Sequence, residues 1–470
     1  MSKNIVIYSD GTGQAGGLRP EQRLSNIYKM YRASRVGPDS RIDPNKQVAF
    51  YDPGLGSGEG ESFISHPIKR MKKTLSSALG SGININIVDC YEAILKHYEP
   101  GDRIYLFGFS RGAYTVRCVA NVMNLCGIPT HDADSTPLPR YGTKLRAIAE
   151  EAVFKVYEHG ISKNRREYEL EREEQAKRFR KKYGSEGIGR MGEAQGNVQP
   201  YFIGVFDTVA ALGISWWKKV IFWSLFGALF IAAITFLLSS THSTVFGALL
   251  LLLFILIGFN IFKKRIRYIS NYPEPGLLKV KWHLKSWGLK NYDLFLDNLV
   301  PYARHAISID ENRKNFPRVG WGHSADYKIT EGQDPMWLRQ VWFAGNHSDI
   351  GGSYNEDESR LSDIALSWMI EQNKEVEHPV IFNKEMLNLF PFSKGIQHCE
   401  ISSISEKWPG WWPKKIRFSW PMEIRRIDET ATLHHTVIER FEYDFISDYG
   451  YCKPYRPESL KNHDKVKEYY

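Results

Sequence analysis

Cysteine is scarce and unpatterned in this chain. Five residues, Cys90, Cys118, Cys126, Cys399 and Cys452, are spread over 470 positions with no CxxC pair. Neither a zinc cage nor a dense disulfide framework is indicated, and a reducing compartment fits best. The opening MSKNIVIYSDG holds an apolar run of only Ile5 to Tyr8 before an acid and a glycine, too short for a secretory h-region, so no cleaved signal is expected. No internal repeat is evident. Charged residues at 24% and hydrophobic residues at 43% exclude a disordered or fibrous chain. The formal charge of +9 suits nucleic acid and an anionic membrane surface equally, and composition does not choose between them.

Two long apolar runs stand out against this background. Residues 220–239 and 244–262 carry no charge, and each has about the length that crosses roughly 30 Å of hydrocarbon. The linker 240–243 has no Lys or Arg, whereas Lys218 and Lys219 flank one side and Lys263, Lys264, Arg265 and Arg267 the other. The positive-inside rule then places both flanks in the cytoplasm, with Trp216 and Trp217 at the interface. The expectation is an integral inner or plasma membrane protein whose catalytic domain faces the cytoplasm. Residues 1–215 and 268–470 form two parts of one domain, and 216–267 a transmembrane hairpin.

Outside the hairpin, short apolar runs end in small or polar residues: NIVIYSDG (4–11), QVAFYDPG (47–54), DRIYLFGFS (102–110), PYFIGVFDT (200–208) and RQVWFAGNHSD (339–349). These read as strands buried on both faces of a parallel sheet. Helical patterns lie between them, at 86–97 and 112–126. Alternation of strand and helix predicts an α/β protein with a mostly parallel sheet and helices on both faces, whose functional residues gather at the carboxyl ends of the strands. The charged stretch 162–182 reads as a solvated helix. The last third reads as short strands and loops decorating the sheet. Within it, KWPGWWPKKIRFSW (407–420) is either an interfacial foot or part of a packed β-rich subdomain.

The strongest chemical signal is FGFSRGAYTVR. Gly108, Ser110 and Gly112 make GxSxG between a strand and a helix, the context of a nucleophile elbow. The glycines relieve crowding around a strained turn, and the backbone N–H of Arg111 is positioned to bind an oxyanion. A serine nucleophile needs a base and an orienting acid. Asp207 ends one later strand and His347 ends another, giving the chain order Ser, Asp, His. Asp310 and Asp349 compete with Asp207 for the acid role.

DGTGQAGG fits G-x-G-x-x-G through Gly11, Gly13 and Gly16. However, Leu18, Arg19 and Pro20 intervene where a dinucleotide site needs its helix to begin. The more economical role is a loop beside Ser110 whose backbone near Gly11 and Thr12 supplies a second oxyanion donor. GLGSGEGES (54–62) lacks GK[ST] and reads as a mobile loop. No cofactor or metal is required, and nucleic acid is not an expected partner.

The blocks IVIYSDGTGQ, YDPGLGS, FGFSRGAYTVR, VFDTVAALG, HAISIDENRKNFPRV, VWFAGNHSDIGGSY, LHHTVIERFEYDF and YRPESL resemble, in order, those of the first family of type VI secretion phospholipase effectors, the Tle1-like catalytic domains. The resemblance implies an α/β-hydrolase fold and phospholipase A activity, and carries the serine onto Ser110 and the histidine onto His347. The expected function is therefore a membrane-anchored serine hydrolase cleaving phospholipid acyl esters. The alternatives are an esterase or peptidase acting on a non-lipid substrate near the membrane, and a catalytically inactive membrane-anchored scaffold or regulatory subunit. A cytoplasm-facing phospholipase endangers its own membrane, so a regulatory or immunity-type protein partner joins membrane phospholipids among the expected partners.

Overall fold

The computed structural model describes residues 2–11, 14, 16, 23–54, 82–160, 165–209, scattered positions within 224–263, and 265–272, 280–284, 296–321, 337–401, 420–448 and 451–470. In chain order the principal elements begin with β1 (Asn4–Ser9), α1 (Asn26–Ser34), β2 (Gln47–Asp52), α2 (Gly82–His97), β3 (Arg103–Phe109) and α3 (Arg111–Cys126). Next come α4 (Thr143–Glu150), α5 (Arg165–Tyr183), the hairpin β4 (Glu186–Ile188) and β5 (Ala194–Gly196), and β6 (Phe202–Phe206). The hairpin β7 (Ile266–Ser270) and β8 (Val280–Leu284), then β9 (Tyr302–Ser308) and β10 (Leu338–Phe343) follow. The chain closes with α6 (His347–Gly351), α7 (Arg360–Lys374), α8 (His435–Glu442), β11 (Ile446–Asp448) and β12 (Tyr451–Lys453).

Alternation along the central strands explains the layers. Ile5, Ile7, Ile104 and Leu106 pack with Val88 and Ile94 of α2 and Val119 of α3. Val6, Tyr8, Tyr105 and Phe107 point to the opposite face, against Ile27 and Met30 of α1 and Ala365 and Met369 of α7. A side-chain period of two thus gives each strand two buried faces. The six strands order as β10-β9-β6-β3-β1-β2, and every pair is parallel. Register aligns Ser9 with Asp52 and with Gly108, Phe109 with Phe206, and Phe343 with Ser308, so the carboxyl ends form one edge. All five expected strands are present. The sixth, β9, runs into the start of HAISIDENRKNFPRV at His305 and went unmarked as a strand.

Three expectations are corrected. The integral-membrane placement is not sustained, because among the described residues no helix is long and apolar enough to cross a membrane. A bilayer crossing takes about 20 consecutive apolar helical residues; most of 216–267, including the linker 240–243, lies outside the described residues. The charged helix is not merely a solvated face: α5 buries Glu171, Arg172, Gln175, Phe179, Arg180 and Tyr183. Arg180 donates to the Leu125 carbonyl at 2.7 Å, satisfying an acceptor in the last turn of α3. The C-terminal third is more than decoration. Leu433, Val437, Phe441, Tyr455 and Leu460 form a third apolar cluster with Ile307, Ile309 and Trp342. The 54–62 loop beyond Gly54 and residues 407–419 lie outside the described residues.

Candidate active site

Ser110 is the residue that turns β3 into α3. Its backbone sits at φ 57 and ψ −120, a conformation that is strained for any residue with a Cβ. The two flanking glycines make this turn sterically feasible. A Cβ on Gly112 would lie 2.0 Å from the Ser9 carbonyl oxygen, and one on Gly108 would lie 2.5 Å from that of Gly112. The elbow is therefore pressed against the end of β1. On the other side it is tied to β6, since Ser110 N–H donates to Phe206 O at 3.1 Å and Val209 N–H to Ser110 O at 3.5 Å.

Asp207 follows β6 directly and is also held in the left-handed region, at φ 34. Its carboxylate is fully buried. Oδ1 accepts from Ser308 N–H of β9 at 3.1 Å and from Arg425 Nη1 at 2.5 Å, while Oδ2 accepts from Arg425 Nη2 at 3.0 Å and from His347 Nδ1 at 2.5 Å. Burial by itself would raise this carboxyl's pKa, but the Arg425 guanidinium and the His347 bond hold it well below the usual carboxylate range. Arg425 also donates to the Ser308 and Phe316 carbonyls, which fixes the fork that grips Asp207.

His347 opens α6 rather than ending β10. Asn346 is the N-cap, its side chain accepting from Ser348 N–H and Asp349 N–H at 2.9 Å, and Asp349 Oδ2 accepts the Asn346 N–H at 3.0 Å. This reciprocal capping box was present in the sequence as N-x-x-D. Two rings hold the imidazole plane: Phe109 at 4.7 Å between centroids and Phe316 edge-on at 5.3 Å. Phe109 itself fills the space at Gly351, where a Cβ would lie 1.9 Å from its ring. Glu311 Oε2 accepts the His347 backbone N–H at 3.3 Å and is neutralised by Arg313. Nε2 of His347 is buried and has no hydrogen-bond partner among the described residues.

The competing acids are committed elsewhere. Asp310 accepts from Gly345 N–H and Tyr455 OH at 2.7 and 2.8 Å, and burial pushes it up to about 6. Asp349, besides capping α6, bonds His398 Nδ1 at 2.7 Å. His305 is also near Asp207, but its Nε2 accepts the Thr208 N–H at 3.3 Å, and burial holds its pKa down to about 3. It is a neutral structural histidine.

At the N-terminal loop the Gly11 N–H donates to Asp10 Oδ1 at 2.7 Å. A Cβ on Gly11 would lie 3.4 Å from that of Ser110, so this loop does flank the serine. Asp10 also accepts from Ser25 Oγ, the cap of α1, at 2.5 Å and from Tyr51 OH at 2.7 Å. Thr12 and Gly13 lie outside the described residues. Arg111 is the first residue of α3, where a backbone N–H has no partner within its own helix. Sequence reasoning missed Arg425, Glu311 and Phe316. Glu311 and Phe316 lay in a recognised block, whereas Arg425 carried no signal beyond a doubled arginine in MEIRRID.

A parallel α/β sheet with a serine elbow and a buried His–Asp pair at one edge is the architecture of a hydrolase-type domain. The chain belongs to the family described as T6SS, phospholipase effector Tle1-like, catalytic domain, whose model matches residues 3–251 and 267–372. It is 27% identical over 217 residues to the uncharacterized protein YEL023C of Saccharomyces cerevisiae, covering 45% of this chain and 27% of the yeast protein. The chain thus spans about a quarter of that relative's length. Among solved structures, an uncharacterized protein from Pseudomonas aeruginosa aligns at 14% identity with a TM-score of 0.35, over 83% of this chain and 48% of that one. The Tle1 effector bound to the VgrG spike of the type 6 secretion system aligns at 15% identity and a TM-score of 0.29, over 77% and 53%. Neither structural likeness is close enough to bear on the fold.

Proposed function

We propose that this protein is a serine hydrolase that cleaves acyl esters of phospholipids, a phospholipase A type of reaction. The observation that carries the reading is the 2.5 Å bond from His347 Nδ1 to Asp207, combined with an Nε2 that has no hydrogen-bond partner among the described residues. That bond fixes the tautomer, leaving the lone pair on Nε2 as the base. Ser110 Oγ attacks the ester carbonyl while His347 Nε2 takes its proton. The same proton then passes to the leaving lysophospholipid oxygen, and an acyl-serine remains. Water attacks next, giving its proton to His347, and collapse returns the proton to Ser110 as fatty acid departs. Asp207 stays ionised throughout, with Arg425 as its permanent counter-charge.

The oxyanion needs two donors. We assign one to the Arg111 N–H. With the Gly11 N–H donated to Asp10, we assign the second to Thr12 N–H. Family membership supports phospholipid as the substrate class. The test is fatty-acid release from phospholipid vesicles, measured beside neutral lipid and soluble short-chain esters. Ser110→Ala should reduce the phospholipid rate at least a thousandfold; a variant as fast as the wild type would overturn the reading, and activity confined to soluble esters would overturn the substrate class.

A further inference from the structure

A second group of chemically capable side chains lies outside the serine site. His159 sits in a buried turn after α4, Glu171 on α5 and His283 on β8. One donor atom from each lies within 4.8 Å of the other two. All three side chains are largely shielded from water, at 1%, 11% and 9% exposure. Two histidines and one carboxylate are a donor set that zinc favours.

The hydrogen bonds orient these donors. His283 Nε2 lies 2.8 Å from the His159 carbonyl oxygen. A carbonyl only accepts, so this nitrogen carries the proton and the lone pair of the neutral ring falls on Nδ1, 4.0 Å from Glu171 Oε2. An imidazole held through its far N–H by a backbone carbonyl is the arrangement that orients ligating histidines. Tyr168 stacks on the His283 ring at 3.9 Å and 18°, fixing its plane. His159 Nε2 lies 2.9 Å from Glu171 Oε2.

A tetrahedral ion with bonds of about 2.0–2.2 Å sets its donors about 3.3–3.6 Å apart. The observed separations of 2.9 and 4.0 Å fall on either side of that spacing. We propose that His159, Glu171 and His283 form a binding site for a divalent transition metal ion, zinc by donor preference, with water in the fourth position. Binding moves the proton that His159 Nε2 shares with Glu171 to Nδ1 of the same ring, freeing the Nε2 lone pair. The ion then pins the β7–β8 hairpin onto α5. Of the neighbouring cations, Arg267 is already paired with Glu158, and Lys281, 3.9 Å from Glu171 and 5.1 Å from the Tyr272 ring centroid, is an exposed chain.

The full chain, stripped by chelator, is titrated with zinc against a competing indicator. One equivalent should bind with submicromolar affinity, and the thermal midpoint should rise with free zinc, since a ligand selective for the folded state stabilises it. Glu171→Gln and His283→Gln should each weaken binding at least tenfold and abolish that rise, while the exposed His435→Gln leaves both unchanged. Equal binding by wild type and His283→Gln, or an equal loss in His435→Gln, overturns the site. X-ray absorption of the zinc-loaded wild type needs no variant: a nitrogen and oxygen shell supports the assignment, and sulfur ligation refutes it.

Discussion

The guanidinium of Arg425 spans both carboxylate oxygens of Asp207, Nη1 to Oδ1 at 2.5 Å and Nη2 to Oδ2 at 3.0 Å. Both groups are buried, so removing one leaves an uncompensated charge. We expect Arg425→Ala to cost about 3–5 kcal/mol of stability in denaturant unfolding. It should also raise the Asp207 pKa and so move the acid limb of the pH–rate profile upward. Arg425→Lys keeps the charge without the fork and should recover only part of each effect. A profile unchanged in Arg425→Ala would deny Arg425 its positioning role.

Asp207, and not its rivals, should carry the acid role. Substitution to Asn preserves shape but favours the wrong imidazole tautomer, so Asp207→Asn should lower kcat for phospholipid by about 10³–10⁴. Asp310→Asn and Asp349→Asn, whose partners are Tyr455 and His398, should lower it less than about tenfold. Steady-state kinetics on the three purified variants rank them directly.

Gly351 lets Phe109 press on the His347 imidazole. In Gly351→Ala the new Cβ would meet that ring at 1.9 Å, forcing Phe109 away from His347. Overpacking of this kind costs about 1–3 kcal/mol. We expect a lowered denaturation midpoint together with a lowered kcat. An unchanged kcat in a destabilised variant would separate the packing from the chemistry.

Asp52 provides a pH signature away from the triad. It accepts from Ser9 Oγ and Asn86, yet burial dominates and pushes its pKa up to about 7. Its unfolded value is near 3.9, so the folded state holds the proton more tightly. That contribution is complete below about pH 4 and is lost as pH rises through 7. The stability advantage of wild type over Asp52→Asn should therefore shrink between pH 4 and 7, by at most about 1.4 kcal/mol per unit. Denaturant unfolding across that range tests it, and an advantage that grew with pH would reverse the sign assigned here.

Much of the sheet was legible because its strands are buried on both faces and write continuous apolar runs. β1, β3 and β6 are of this kind. β9 was harder, since YARHAIS mixes Arg304 and His305 into its core, both fully buried. Ser110 was legible because GxSxG reports backbone strain locally, and Asp207 and His347 because each follows a strand at the same edge. Arg425 was not, because its pairing with Asp207 spans 218 positions and no periodicity marks a residue in irregular chain. The two apolar runs misled for a related reason. Hydropathy registers transfer out of water but does not say what receives the side chains.

The strand order has one more meaning. The chain leaves the sheet at Phe206 and returns at Tyr302 to the immediately adjacent strand, β6 beside β9. Beyond Asp207, the stretch between is a detour that begins and ends at neighbouring rungs, and a parallel crossover itself requires only about a dozen residues. Descendants of this chain can therefore trade one detour for another, in length or in chemistry, while the serine, the acid and the histidine keep their seats.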